Sequence, residues 1–147
     1  LLKDYLSKHI EFLEGKELYL LRNKSKTGIG FFEADNFYPD FILWIKEPNI
    51  QRISFIDPKG LMMIAPNDSK IQFCNKIKML QKNLANTNKG EKIILNSFIF
   101  SVTDYDKLIS KWGKPKTQKD MEALNILFLN DTTCIENLLN KILSDNS

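Results

Sequence analysis

Apolar residues recur at helical spacing near the start of the chain and at strand spacing after it. The helical stripe consists of Leu2, Leu6, Ile10 and Leu13. This spacing predicts a first helix over residues 2–13, which Gly15 ends. The next segment, residues 17–22, reads ELYLLR and predicts a short strand.

Two further apolar runs predict a hairpin in the centre of a sheet. Residues 41–45 and 53–56 are apolar on both faces, and Glu47, Pro48 and Asn49 between them form a turn signal. Strands that are apolar on both faces are covered on both sides. Helices are therefore expected on each face of this hairpin.

The second half of the chain predicts mainly helices. Asp68 and Ser69 are typical of a helix cap, and an apolar stripe at helical spacing follows from Ile71 onward. Residues 93–102 predict another strand. Further helices are expected at about 103–112, 118–129 and 134–143.

These elements predict one α/β domain over residues 1–147. Its core, about 1–102, has the order α-β-β-β-α-β, with a small mixed β-sheet flanked by helices. A helical C-terminal tail, about 103–147, follows.

The hairpin register brings candidate catalytic residues together. If the loop is centred between Pro48 and Asn49, Asp40 lies opposite Asp57, with Cβ atoms about 4.5–5.5 Å apart. Lys59 shares the face of Asp57 if the pleat continues past Pro58, where the missing N–H predicts that regular pairing fails.

This grouping favours metal-dependent hydrolysis. Two adjacent carboxylates repel each other unless a cation compensates them, and Mg²⁺ or Mn²⁺ suits an all-oxygen site. The backbone carbonyl of Pro58 could supply a further ligand. Lys59 could orient a water or stabilise charge on a phosphate.

Composition sets broad limits. Hydrophobic residues make up 43% and charged residues 27% of the 147 residues, as in a folded globular protein, and the net charge is only +3. Cys74 and Cys134 are predicted to be reduced core thiols, which favours a cytoplasmic location. No apolar run is long enough to span a membrane. His9, the single histidine, is interpreted as structural.

The residues around the hairpin also resemble a known family. Pro39-Asp40 followed by Asp57-Pro58-Lys59 is similar to the motif of the PD-(D/E)XK nuclease superfamily. The surrounding sequence looks like the nuclease segment that follows the helicase motor in type III restriction and related DEAD/DEAH-box proteins. The segments that carry this likeness are GIGFFEAD (28–35), FYPDFILW (37–44) and FIDPKGL (55–61). The resemblance covers residues 28–61, and the rest of the chain agrees in element order alone.

This resemblance implies a restriction-endonuclease-like core in which Asp40 and Asp57 bind the metal and Lys59 is the catalytic lysine. Members of the superfamily often add an acidic residue from the first helix. Glu14, on the flank of the apolar stripe, is preferred over Glu11, and Glu33 is a second candidate.

Two residues of the predicted helix after the hairpin are candidates for nucleic-acid contact. Gln72 lies near the start of that helix, and Lys76 lies on its polar face. The alternative for Lys76 is a solvated basic surface.

The expected function is that of a Mg²⁺- or Mn²⁺-dependent endonuclease domain acting on double-stranded DNA. The resemblance implies a helicase or translocase region in the same chain and a methyltransferase or specificity subunit as partners. The chain begins at Leu1 rather than Met, which fits a piece of a longer protein. Two alternatives remain open at this point: a catalytically silent nuclease-fold domain that binds nucleic acid or scaffolds subunits, and a stand-alone enzyme acting on RNA or damaged DNA.

Overall fold

The computed structural model describes residues 1–31, 36–87, 90–112 and 117–147. Within these residues the strands are β1 (Glu17–Arg22), β2 (Phe41–Glu47), β3 (Ile50–Lys59), β4 (Lys92–Ser101) and β5 (Ile126–Phe128). The helices in the same residues are α1 (Leu2–Lys8), α2 (Ser69–Thr87), α3 (Tyr105–Trp112), α4 (Gln118–Ala123) and α5 (Cys134–Ser144).

The strands form one mixed sheet in the order β1-β2-β3-β4-β5. The pairs β1–β2 and β2–β3 are antiparallel, whereas β3–β4 and β4–β5 are parallel. A parallel pair needs a crossover connection, and α2 supplies it between β3 and β4. The predicted α/β class with a small mixed sheet and helices is confirmed, and the hairpin is central as predicted.

Both faces of the sheet are covered by helices. On one face, Phe55 of β3 and Leu95 of β4 pack against Phe73 and Ile77 of α2. Helices α3 and α4 join this face through a neighbouring cluster that includes Leu108 and Met121. The other face packs against α5 and α1 in a third cluster. The side chains of β3 therefore alternate between an α2 face and an α5 face.

Two helix predictions need correction. The first helix is not continuous, because α1 ends at Lys8 and a separate 3₁₀ turn runs over Ile10–Leu13. The predicted helix at 118–129 is instead α4 followed by β5, which is buried at every position and completes the sheet. Ile, Leu and Phe fit a helix or a strand equally well in so short a run, so the pattern alone could not separate the two.

The prediction that both cysteines are core thiols is confirmed. Cys74 and Cys134 are free and buried, and burial raises the pKa of the Cys134 thiol to about 11. His9 stacks on Tyr5 with ring centroids 4.0 Å apart. None of the helices in the described ranges is long and apolar enough to cross a membrane.

Candidate active site

The hairpin register places the two carboxylates at one end of the sheet. Phe41 pairs with Ile56 and Glu47 pairs with Ile50, so the partner numbers sum to 97 as predicted. The ladder stops one residue before Asp40. The backbone N–H of Asp40 nevertheless donates a hydrogen bond to the Asp57 carboxylate. Asp40 is exposed, whereas Asp57 is 5% exposed.

The loop before Asp40 is held by Asn23, directly after β1. Its side-chain amide donates to the carbonyls of Ile29 (2.7 Å) and Pro39 (2.9 Å). Its backbone N–H donates to the carbonyl of Asp40 at 2.8 Å. Asn23 therefore fixes the backbone on both sides of the Pro39–Asp40 bond.

Gly28 and Gly30 lie in this loop at points where another group comes very close to the backbone. A Cβ on Gly28 would lie 2.2 Å from the Asn23 Oδ1 atom, and a Cβ on Gly30 would lie 2.4 Å from the Tyr38 ring. Gly28 would also meet the Lys24 backbone oxygen at 2.6 Å, so that position requires glycine, whereas a side chain at Gly30 would force the Tyr38 ring to move.

Lys59 lies on the same face as Asp57, as predicted. Strand β3 continues through Pro58 to Lys59, where it pairs with Ser101 of β4, so the pleat is not interrupted. The Lys59 Nζ atom is 3.6 Å from the Asp57 carboxylate. The prediction that pairing fails at Pro58 is correct for the β2 side, where the ladder has already ended, and wrong for the β4 side.

Burial is the main influence on Asp57. It raises the pKa of this carboxyl above its usual value, and Asp40 adds to the rise through like-charge repulsion. Lys59 and the hydrogen bond from Asp40 oppose the rise without cancelling it. A buried acid with a raised pKa, next to a second acid and an ammonium group, is typical of functional sites.

The carbonyl of Pro58 points toward the β2 edge of β3, where Asp40 lies. The Lys59 carbonyl accepts a hydrogen bond from the Val102 N–H at 3.0 Å and so faces β4. Successive carbonyls of a strand point in opposite directions, so the Pro58 carbonyl faces the β2 side, where β2 has ended and Asp40 follows. The missing N–H of proline costs no ladder bond there.

Lys70, in the first turn of α2, is a site residue that the sequence interpretation missed. Its backbone N–H donates to Asp68 Oδ1 at 2.9 Å, and its Nζ atom lies 6.0 Å from the centre of the Phe37 ring. Burial lowers the pKa of Lys70, as do a hydrogen bond with Lys59 and repulsion by its charge, while Asp57 and Asp68 oppose this. The signal in the sequence was a lysine one position after the helix start.

Glu14, proposed as a further metal ligand, does not join this group. Glu14 follows the 3₁₀ turn and precedes β1, which starts at Glu17 opposite Lys46. Lys46 is six strand residues from Asp40, or roughly 20 Å. Glu14 therefore lies at the wrong end of the sheet, because the break at His9 and the short β1 lead it there. Glu33 lies outside the described residues.

Gln72 and Lys76 belong to α2 but not to its site-facing side. At 100° per residue, Gln72 is turned about 160° and Lys76 about 120° from Lys70. Gln72 is half-buried and Lys76 is exposed. The helix thus presents Lys70 to Asp57, and contact of Lys76 with nucleic acid stays a prediction.

The available ligand atoms suit a hard divalent cation that binds few protein groups. Asp40, Asp57 and the Pro58 carbonyl supply only oxygen, and Mg²⁺ commonly binds through one or two carboxylates while keeping waters. Within the described residues, no group of three or more His, Cys, Asp or Glu side chains could hold a metal ion. From the described residues, a site here would draw on two carboxylates and a carbonyl, with water completing the coordination.

Comparison with known proteins adds no assignment: no family model, curated protein or solved structure matches this chain.

Proposed function

We propose that this chain is a metal-dependent endonuclease domain that hydrolyses phosphodiester bonds in double-stranded DNA. The observation that carries the proposal is the Asp57 carboxylate, which is buried beside Asp40 and lies 3.6 Å from the Lys59 ammonium. A fold gains no stability by burying an acid that is harder to ionise, so a functional reason is favoured.

Each residue has a distinct role in this proposal. Asp40 and Asp57 hold Mg²⁺ or Mn²⁺ together with the Pro58 carbonyl. When bound, the ion supplies a Lewis acid for the phosphodiester. Lys59 donates a hydrogen bond to the attacking water or to a phosphate oxygen, which orients the nucleophile and stabilises developing negative charge. Asn23 keeps Asp40 in position through the Pro39 and Asp40 carbonyls.

The proposal extends to the protein that contains this domain. The wording of residues 28–61 supports a restriction-type protein in which a helicase or translocase region of the same chain delivers DNA to this site. That part of the proposal stands on the resemblance alone. The residues encoded upstream of Leu1 test it, because they should contain nucleotide-binding motor motifs.

A nicking assay on supercoiled plasmid tests the catalytic assignment. In Mg²⁺ or Mn²⁺, Asp57→Ala and Lys59→Ala are each expected to lower the cleavage rate by about 10²–10³-fold, the usual loss for one electrostatic contributor. Lys46→Ala is the matched control, since it removes an exposed strand lysine at the other end of the sheet. Cleavage that survives both site substitutions would show that these residues do not catalyse it.

A silent nuclease-fold domain is the second candidate. The ion pair of Lys59 with Asp57 at 3.6 Å favours it, because such a pair also fits a purely structural contact. Metal titration separates the two functions. Saturable Mg²⁺ or Mn²⁺ binding that Asp40→Ala abolishes supports the nuclease, whereas DNA binding with no such metal site supports the silent domain.

A further inference from the structure

Two lysines meet at the candidate active site beside one buried carboxylate, Asp57. Lys59 comes from the end of β3, and Lys70 comes from the first turn of α2. Their ammonium groups are neighbours, and both interact with Asp57. Two like charges held together favour an anion that can be shared between them.

Lys70 is not explained by its other contacts. Asp68 accepts from the backbone N–H of Lys70, which is the normal bond of a helix cap, and its charge also attracts the Lys70 ammonium, though less than Lys59 and burial disfavour it. The Phe37 ring, 6.0 Å away, offers a weak cation–π contact. Asp57 already has Lys59 at 3.6 Å.

The surroundings of Lys70 favour negative charge from outside the protein. Helix α2 runs over 19 residues, and Lys70 lies at its N-terminal end, where the helix dipole is positive. Lys59 has 31% of its side chain exposed, so an incoming ligand can reach the pair from solvent. A phosphodiester, with one negative charge and two nonbridging oxygens, matches two adjacent donors.

We propose that Lys70 is a phosphate-contacting residue, whose ammonium binds a nonbridging oxygen of the nucleic-acid strand beside Lys59. This inference rests on the proposed nuclease function and adds a residue to it. Lys70 supplies charge and position from α2, while Asp40, Asp57 and Lys59 belong to the hairpin and to its continuation.

The salt dependence of DNA binding tests Lys70 independently of cleavage. The 147-residue chain is titrated into an end-labelled duplex in EDTA, where metal-dependent cleavage does not occur, over a range of salt concentrations. Each phosphate contact contributes about 0.9 to the slope of log affinity against log salt. Lys70→Ala is expected to reduce the steepness of this slope by about 0.9, and Lys70→Arg is expected to leave the slope unchanged.

Lys107→Ala serves as the control, because it removes an exposed lysine from α3. Thermal unfolding verifies that every variant is folded. A Lys70→Ala slope equal to that of the unchanged chain overturns the inference, as does an equal fall in Lys107→Ala. If the unchanged chain binds the duplex but does not cut it in Mg²⁺, the nuclease proposal fails while Lys70 is still judged by the slope. If it binds no duplex, both fail.

Discussion

Asp57 is a buried carboxylate, and its neighbours do not fully compensate the cost of burying its charge. Its carboxylate is 5% exposed, and its pKa is raised because burial outweighs the attraction of Lys59. A carboxyl group with a raised folded-state pKa is neutral in both states at low pH. It reduces stability as pH rises through the usual carboxyl value, about 4, toward the folded-state value. The ionised site therefore costs stability at neutral pH.

Asp57→Asn is expected to increase stability while removing activity. The amide keeps the shape of the side chain and removes the buried charge. The free energy of unfolding should rise by about 0.5–2 kcal/mol at neutral pH, as is common for stabilising substitutions. Urea denaturation at several pH values measures this. The gain should shrink toward pH 4 and below, and a gain that is constant with pH would contradict the charge explanation.

Within the described part of the chain, one edge of β4 has no partner strand along its first residues and is covered by α2 instead. Strand β5 pairs only with Ile99, Phe100 and Ser101, so the earlier part of that edge needs other partners. Gln81 of α2 accepts from the Leu95 N–H at 2.9 Å, and Lys78 donates to the Leu95 carbonyl at 2.7 Å. Side chains of a helix thus replace the missing strand, which keeps the edge from pairing with another chain.

Gln81→Met is expected to destabilise the sheet through this edge. Methionine fills similar space but leaves the Leu95 N–H without an acceptor, which costs about 1–3 kcal/mol for a buried donor. Gln81→Glu is the control because it keeps an acceptor oxygen. Urea denaturation gives the free energies, and hydrogen exchange reports the Leu95 amide. Equal losses in both variants would show that the bond to Leu95 is not the cause.

Polar contacts of the residues around Asp145 connect the two faces of the sheet. Arg52, buried on the α5 face of β3, donates to the carbonyls of Ile142 and Asp145 and pairs with Glu47 at 2.6 Å. Asp145 in turn pairs with Lys78 of α2 on the opposite face. This polar path ties α5, β3 and α2 into one unit, although no hydrophobic cluster contains all three.

Asp145 responds to pH in the opposite direction to Asp57. Burial alone would raise the pKa of Asp145, but hydrogen bonds from Lys78 and Ser147 hold it below its usual range. A lowered folded-state pKa stabilises the protein above the usual carboxyl value and is lost as pH falls through the folded-state value. The pair therefore stabilises at neutral pH.

Asp145→Asn is expected to lower the free energy of unfolding by about 1–2 kcal/mol at pH 7, because the charged hydrogen bond with Lys78 is lost. The deficit should fade as the pH falls below about 4 toward the lowered folded-state pKa, because the unfolded carboxyl binds a proton first. Thermal unfolding against pH measures both. Asp4→Asn is the control, since that side chain is 84% exposed in its ion pair. An undiminished deficit in acid would point to packing.

The sequence was sufficient to predict the hairpin and the positions of the residues that depend on its register. A turn between Pro48 and Asn49 fixes the register of the adjoining strands, so the positions of Asp40, Asp57 and Lys59 follow from counting along the chain. The apolar runs of β2 and β3 also predicted their central place, because burial on both faces leaves a direct mark on composition.

Contacts between distant segments could not be read in this way. Lys70 reaches Asp57 because α2 crosses between parallel strands, and Glu14 lies far from it because the first helix breaks at His9. Strand β5 forms because β4 offers it an edge, and Gln81 is buried because the same edge is open further along. Local pattern fixes what neighbouring residues do, whereas these features depend on packing free energy summed over segments far apart in the chain, which no short stretch of sequence contains.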